Sequence, residues 1–169
     1  LGGDRSRIFV MGHSAGAYNA AMVTVEAKWL AVHGVERTAI AGFIGLAGPY
    51  DFLPLQDRVT RTVFGHVPDP GSTQPALLAD AGTPPALLLH GTADDTVYPR
   101  NARSLAERLR AVGVAVELRL YPGVGHAGIV LALSPLSRDD PPVASDLARF
   151  VAAVRPAAAV QSASERLAA

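Results

Sequence analysis

The stretch from Arg7 to Met22, RIFVMGHSAGAYNAAM, decides the fold of this chain. Its apolar run from Ile8 to Met11 is typical of a strand that is buried on both faces. The run ends in the pattern G-x-S-x-G, and apolar residues at helical spacing follow at once, at Tyr18, Met22, Val25, Trp29 and Val32. The sequence therefore predicts a strand, a sharp turn that carries Ser14, and one helix that ends at Gly34.

The serine in this turn is a candidate nucleophile. Between a strand and a helix, G-x-S-x-G is the pattern of a nucleophile elbow. The tight turn strains the backbone of the serine, and Gly12 and Gly16 would let the strand and the helix pass without collision. The turn would project the Ser14 hydroxyl out of the sheet, and the amide of Ala15 would face a developing oxyanion. The alternative is a serine that only caps the helix, but the full pattern favours the nucleophile.

Three more apolar segments predict strands and, with them, the fold class. They are Ala39–Gly48, Pro85–Gly91 and Val114–Pro122, and only the last alternates apolar with charged residues, as an edge strand does. Helical patterns or long loops separate the strands. The predicted fold class is therefore α/β: an open, mostly parallel sheet with helices on both faces and ligands at the carboxyl ends of the strands.

Helical spacing recurs in the second half of the chain. It predicts helices over 100–112 and 143–154, and one helical turn over 75–79 in an otherwise irregular segment. We expect one domain over residues 1–155, and a flexible tail over 156–169, where apolar patterning is too weak for a core.

Composition excludes several classes of partner. The chain has 169 residues, 15 basic and 15 acidic, so nothing in its charge predicts binding to nucleic acid or to an anionic membrane. It has no cysteine, no apolar run long enough to cross a bilayer and no metal-ligand spacing. The expected partner is a small, largely uncharged molecule, with no cofactor and no metal. The cytoplasm is favoured, although the chain begins at Leu1, so an upstream signal peptide would lie outside it.

A serine hydroxyl needs a base, and five histidines are available. His126 is favoured, because it follows the last strand in the Gly-rich segment YPGVGHAG, which we expect to be a flexible loop. His13, His33 and His66 are expected to cap or to face solvent, and His90, at a strand end, to pack or hydrogen-bond locally. The acid that orients this base is harder to identify than the base itself. Three aspartates follow strands, and position alone does not decide among them: Asp51, Asp94 and Asp95.

Four segments together resemble the α/β-hydrolase superfamily: GHSAGAYNAAM, GLAGPYDF, LLLHGTADDTV and YPGVGHAG. The resemblance is to its bacterial carboxylesterase and arylformamidase-like branch, which also resembles prolyl-oligopeptidase-type catalytic domains, and it covers about residues 5–154. It implies a serine esterase with Ser14 as nucleophile, His126 as base and Asp94, the aspartate of H-G-x-x-D, as acid. It also implies the Ala15 amide as an oxyanion donor, and no cofactor.

The resemblance also shows departures. The family's sheet has about eight strands, of which this chain would hold the last four, without the H-G-G-G type loop that supplies other oxyanion amides. Tyr18 stands where relatives often have histidine, and Ala127 where glycine is commoner. We therefore expect residues 1–169 alone to be oligomeric or aggregation-prone and nearly inactive, and an upstream segment of the same fold to complete the sheet.

Three functions follow from these observations. The first is hydrolysis of carboxylic esters with small or short acyl groups, since no long lid insertion is present between the strands. The second is hydrolysis of amides or formamides by the same residues. The third is a catalytically incomplete fragment that acts only as an association module.

Overall fold

Four parallel strands form one sheet, in which their order β1-β2-β3-β4 is also their order in the chain. The computed structural model describes residues 3–4 and 6–154, so the tail predicted over 156–169 lies outside the described residues. The order confirms the predicted open parallel sheet and the last strand at its edge. The prediction that the first apolar run is buried on both faces is wrong, because that strand lies at the other edge, where Ile8 and Met11 are exposed. The strands are β1 Ile8–His13, β2 Ile40–Leu46, β3 Ala86–Gly91 and β4 Val116–Tyr121.

Helices cover both faces of this sheet, as predicted. In the described residues they are α1 Ala15–Val25, α2 Lys28–Ala31, α3 Arg58–Phe64, α4 Pro75–Leu78, α5 Arg100–Ala111, α6 His126–Leu131 and α7 Val143–Ala153. Residues of α1, α4 and α5 share one hydrophobic core, and residues of α6 and α7 share the other. None of these helices has both the length and the apolarity that a membrane span requires.

The central strands are apolar throughout because they serve both cores. Successive side chains of a strand point to opposite faces of the sheet. In β3, Leu88 packs with α1 and α5, whereas Leu87 and Leu89 pack with α6 and α7, and all three are fully buried. The two cores hold the carboxyl ends of the strands at one edge of the sheet, where Ser14, Asp94 and His126 follow β1, β3 and β4.

The prediction of one helix from the serine to Gly34 is wrong. Helix α1 ends at Val25, the next residue, Glu26, is extended, and the short α2 follows. The side chain of Arg37 donates to the carbonyl of Val25 at 2.7 Å, and this bond satisfies a free carbonyl at the helix end. Beyond the break, the apolar residues at helical spacing are not core, since Trp29 and Val32 are exposed.

Helix α3 lies where no helix was predicted. Its N-cap, Asp57, accepts a hydrogen bond from the amide of Thr60 at 2.8 Å. Val59 and Val63 are exposed on it, so the helix has no buried stripe that periodicity could detect. The cap pattern D-x-x-T was the one local signal for it. The segment containing His126 also differs from the prediction of a flexible loop, since His126 is the first residue of α6 and Gly125 is its N-cap.

Candidate active site

The turn after β1 holds Ser14 in a backbone conformation that few non-glycine residues adopt. Its φ is 56° and its ψ is −124°, and its amide donates to the carbonyl of Leu46 in β2 at 2.9 Å. Such a conformation costs about 1–3 kcal/mol and persists only when the surrounding structure imposes it. The sheet and α1 together impose it here, and the strain predicted for this turn is present.

The two glycines of the elbow have different roles. A Cβ on Gly12 would lie 2.2 Å from the carbonyl oxygen of Gly16, so only glycine fits at position 12. A Cβ on Gly16 would meet nothing within 4 Å among the described residues. The prediction that both glycines relieve a collision is therefore wrong for Gly16, because it is exposed on α1 and contributes only its backbone to the contact.

Three side chains that the sequence predicted for the site meet at the end of the sheet where the strands have their carboxyl ends. His126 Nε2 lies 2.8 Å from Ser14 Oγ, and His126 Nδ1 lies 2.8 Å from Asp94 Oδ2. The carboxylate accepts a hydrogen bond from Nδ1–H, which leaves Nε2 unprotonated and able to accept from the serine hydroxyl. This arrangement can move a proton from Ser14 to His126 while Asp94 faces the charge that forms.

Asp94 is buried and accepts hydrogen bonds at both carboxylate oxygens. Its Oδ1 accepts from the amides of Thr96 and Val97, at 3.0 and 2.8 Å, and its Oδ2 accepts from His126. Burial favours the neutral acid, but the hydrogen bonds from His126 and Val97 and the nearby histidines outweigh it. They hold the pKa of Asp94 below its ordinary value. Asp94 is therefore an anion that hydrogen bonds hold in place beside the imidazole of His126.

A second histidine, His90, lies behind this acid. It is fully buried, its Nε2–H donates to the carbonyl of Val97 at 2.7 Å, and the same nitrogen lies 3.1 Å from Asp94 Oδ2. Burial lowers the pKa of His90, although the Val97 carbonyl and Asp94 oppose this shift. His90 thus packs and hydrogen-bonds locally, as predicted, and it contacts the loop that carries Asp94.

His13 has a role that sequence reasoning missed. It was expected to cap or to face solvent, but it is half-buried, and its Nε2 lies 3.1 Å from the carbonyl oxygen of His126. The two imidazole rings are 4.8 Å apart between centroids. His13 therefore contacts the backbone of His126, the candidate base, and its place directly before Ser14 was the only local signal for this contact.

The two rival acids lie elsewhere. The carboxylate of Asp51 accepts a hydrogen bond from the hydroxyl of Ser104 on α5 at 2.5 Å, and its amide donates to Asn101. Asp95 is exposed. Among the three aspartates that sequence position left open, only Asp94 is paired with His126.

Comparisons with known proteins agree with this fold. The sequence profile of the Prolyl oligopeptidase family matches residues 70–138. The chain is 30% identical over 152 residues to isoprenylcysteine alpha-carbonyl methylesterase ICME of Arabidopsis thaliana, and 31% identical over 144 residues to Esterase LipC of Mycobacterium tuberculosis. These alignments cover 78% and 75% of this chain, but 36% of each relative. The chain thus spans little more than a third of their length.

The structure of an acetyl ester-xyloside bifunctional hydrolase from Caldicellulosiruptor lactoaceticus superposes with a TM-score of 0.70 at 21% identity. The match covers 90% of this chain and 59% of that one. This chain therefore has the α/β-hydrolase fold over the part that it shares with that structure. Its sequence is similar to those of esterases.

Ala15 occupies the first position of α1, where helix amides have no partner within the helix. Among the described residues no acceptor takes its N–H, and the positive end of the helix dipole points the same way. This amide is therefore available to an anion beside Ser14. Across the described part of the chain, His, Asp and Glu side chains form no group of three that could hold a metal ion.

A cavity of about 370 Å³ opens beside the elbow of the hydrolase fold, between α1 and α3. Ser14 and Ala15 form one wall. Three aromatic rings from different parts of the fold also line it, with centroids 5.4–5.9 Å apart: Tyr18, Phe52 and Phe64. The cavity thus joins the candidate nucleophile to helix α3, which the sequence did not predict.

Proposed function

We propose that this chain carries the catalytic residues of a serine hydrolase that cleaves carboxylic esters with small or short acyl groups. The observation that carries the proposal is the pair of 2.8 Å contacts from His126 to Ser14 Oγ and to Asp94 Oδ2. The strained backbone of Ser14 adds support, because strain of this kind concentrates at functional sites.

The proposed reaction begins with attack of Ser14 Oγ on the ester carbonyl carbon. His126 Nε2 takes the hydroxyl proton, Asp94 stabilises the imidazolium, and the Ala15 amide donates to the oxyanion of the tetrahedral intermediate. When the intermediate collapses, the bond to the alcohol oxygen breaks, and His126 gives its proton to that oxygen. The acyl group remains on Ser14 until water, activated by the same histidine, attacks and releases the carboxylic acid.

Esters are the favoured substrates because the relatives are named as esterases. An amide or formamide hydrolase is the second candidate, and the match of the Prolyl oligopeptidase family profile over residues 70–138 supports it. In both reactions the same three side chains would act, and the leaving group alone differs.

A substrate panel separates these candidates. The chain is assayed with p-nitrophenyl butyrate, N-formylkynurenine and a dipeptide anilide, each beside Ser14→Ala. We expect ester hydrolysis to be slow, in keeping with the near-inactivity predicted for this chain alone, but faster than hydrolysis of the two amides and absent in Ser14→Ala. Preferential hydrolysis of either amide substrate would select the second candidate. Ester hydrolysis that survives in Ser14→Ala would contradict the proposed nucleophile, and hydrolysis of no substrate would favour an association module.

A further inference from the structure

The cavity beside Ser14 lies on a defined side of the candidate nucleophile. Ser14 and Ala15 line it, so a group inside it is adjacent to both the serine oxygen and the candidate oxyanion donor. His126 does not line it. The alcohol that leaves an ester must lie close to His126 Nε2, because that nitrogen protonates it. The cavity is therefore on the side of the acyl group and not of the alcohol.

The walls of this cavity suit an uncharged, apolar group. Tyr18, Phe52 and Phe64 offer aromatic surfaces, and none of the described residues that line it carries a charge. Its one threonine, Thr60, already donates its hydroxyl hydrogen to the carboxylate of Asp57 at 2.6 Å. A charged acyl group would lose its hydration here without gaining an ion-pair partner.

The rim of the cavity is apolar as well. Val59 and Val63, on α3, are 70% and 49% exposed. They stand on the helix that closes one side of the cavity, and their side chains leave apolar surface in contact with water next to the candidate nucleophile. An acyl chain that fills the cavity would cover this surface, and burial of each methylene would be favourable.

On the basis of the proposed function, we infer that this cavity is the acyl-binding site and that its substrates carry neutral acyl groups of about four to eight carbons. Each further methylene that enters the cavity would cover apolar surface, so longer acyl groups are favoured over acetyl. Helix α3 then sets the acyl specificity, because it contributes four of the residues that line the cavity: Val59, Thr60, Val63 and Phe64.

Chain-length preference tests the inference through catalysis. In an assay of p-nitrophenyl acetate, butyrate and hexanoate, kcat/KM should rise about fourfold per buried methylene, and so at least about tenfold from acetate to butyrate or hexanoate. Val63→Asp places a charge at the rim and should abolish this preference. Val32→Asp is the matched control, since Val32 is exposed on the separate α2 region, and it should keep the wild-type ratio.

Binding tests the same site without catalysis. Hexanamide, a neutral probe, is titrated into the protein while the aromatic NMR signals of Phe52 and Phe64 are followed, with acetamide as the short control. We expect saturable shifts with hexanamide, weak shifts with acetamide, and loss of the hexanamide response in Val63→Asp but not in Val32→Asp.

The two measurements separate failure of this inference from failure of the proposed function. Ester hydrolysis with no chain-length preference and no hexanamide shifts would overturn the acyl site and leave the proposed function standing. Hexanamide shifts in a protein that hydrolyses no ester would overturn the proposed function and keep the cavity as a site for neutral acyl groups. If hydrolysis and hexanamide shifts are both absent, both are overturned.

Discussion

Gly12 and Gly16 approach each other so closely that a Cβ on Gly12 would lie 2.2 Å from the Gly16 carbonyl oxygen. The reverse does not hold, since a Cβ on Gly16 meets nothing within 4 Å among the described residues. Glycine is therefore required at position 12 but not at position 16. The difference can be measured as a change in the free energy of unfolding.

Gly12→Ala should therefore destabilise the chain, by about 1–3 kcal/mol, because the added methyl forces β1 and α1 apart. Gly16→Ala is the matched control. It should be neutral or stabilising by up to about 1 kcal/mol, since alanine favours a helix over glycine. Urea unfolding of the two variants beside the wild type measures both effects. Equal stability of all three proteins would show that the elbow tolerates a Cβ at position 12.

Asp94→Asn should lower kcat for ester hydrolysis by about 10⁴-fold. The asparagine amide would hold His126 in the wrong tautomer, so Nε2 would no longer accept the proton of Ser14. Asp51→Asn is the control, because the Asp51 carboxylate bonds to Ser104 and not to His126. Steady-state kinetics of both variants tests the assignment of Asp94 as the acid of the triad. If Asp51→Asn were the damaging change, Asp51 would be the acid instead.

Stability should depend on pH through Asp94. Its pKa in the folded chain is held below the ordinary value of 3.8, so its contribution to the free energy of unfolding is fully present above that value. The contribution is lost as the pH falls through the lowered pKa, because the unfolded chain then binds a proton that the folded chain does not. The stability of wild type relative to Asp94→Asn should thus shrink between pH 5 and pH 3.

Urea unfolding at pH 7, 5 and 3 measures this difference. Asp4, Asp57 and Asp139 also have lowered pKa values, but they are present in both proteins and cancel. A difference that stays constant down to pH 3 would show that Asp94 is not stabilised as an anion.

The strand runs and the elbow were predictable because their signals are local. Uninterrupted apolar runs marked β2 and β3, which are buried on both faces, and G-x-S-x-G marked the turn at Ser14. The break after Val25 was not predictable, since it depends on Arg37, which reaches the helix end from outside it. Helix α3 was missed because its apolar residues line a cavity rather than a core.

Some residues of the candidate site could likewise be predicted from local patterns, and others could not. Ser14 and His126 stand in distinctive patterns, but the choice of Asp94 over Asp51 requires the fold, because both aspartates follow buried strands. Only the arrangement of β2, β3 and β4 brings the carboxylate of Asp94 to His126 and turns that of Asp51 toward α5. The contact between His13 and His126 joins residues 113 positions apart, and no local pattern encodes it.

The outer edge of β1 gives a prediction about association. In the described residues β1 pairs only with β2, and Ile8 and Met11 on it are 43% and 50% exposed. An unpaired apolar strand edge is a template for pairing with another chain, so we expect this chain to self-associate. Met11→Lys should shift it toward the monomer, because a lysine on the edge opposes such pairing.

Size-exclusion chromatography over a range of protein concentrations measures this shift. Val32→Lys adds the same charge at an exposed valine outside the sheet, and it should leave the oligomer unchanged. A wild-type chain that stays monomeric at every concentration would contradict association through β1.

The central claim is that Ser14 is a nucleophile activated by His126. Covalent labelling with a fluorophosphonate tests it directly, because the reagent phosphonylates only an activated serine, and intact mass with peptide mapping locates the adduct. The account predicts one adduct, on Ser14, that forms in the wild type, is absent in Ser14→Ala and slows by several orders of magnitude in His126→Ala. An adduct on another serine, or labelling of Ser14 at the same rate without His126, would contradict the account.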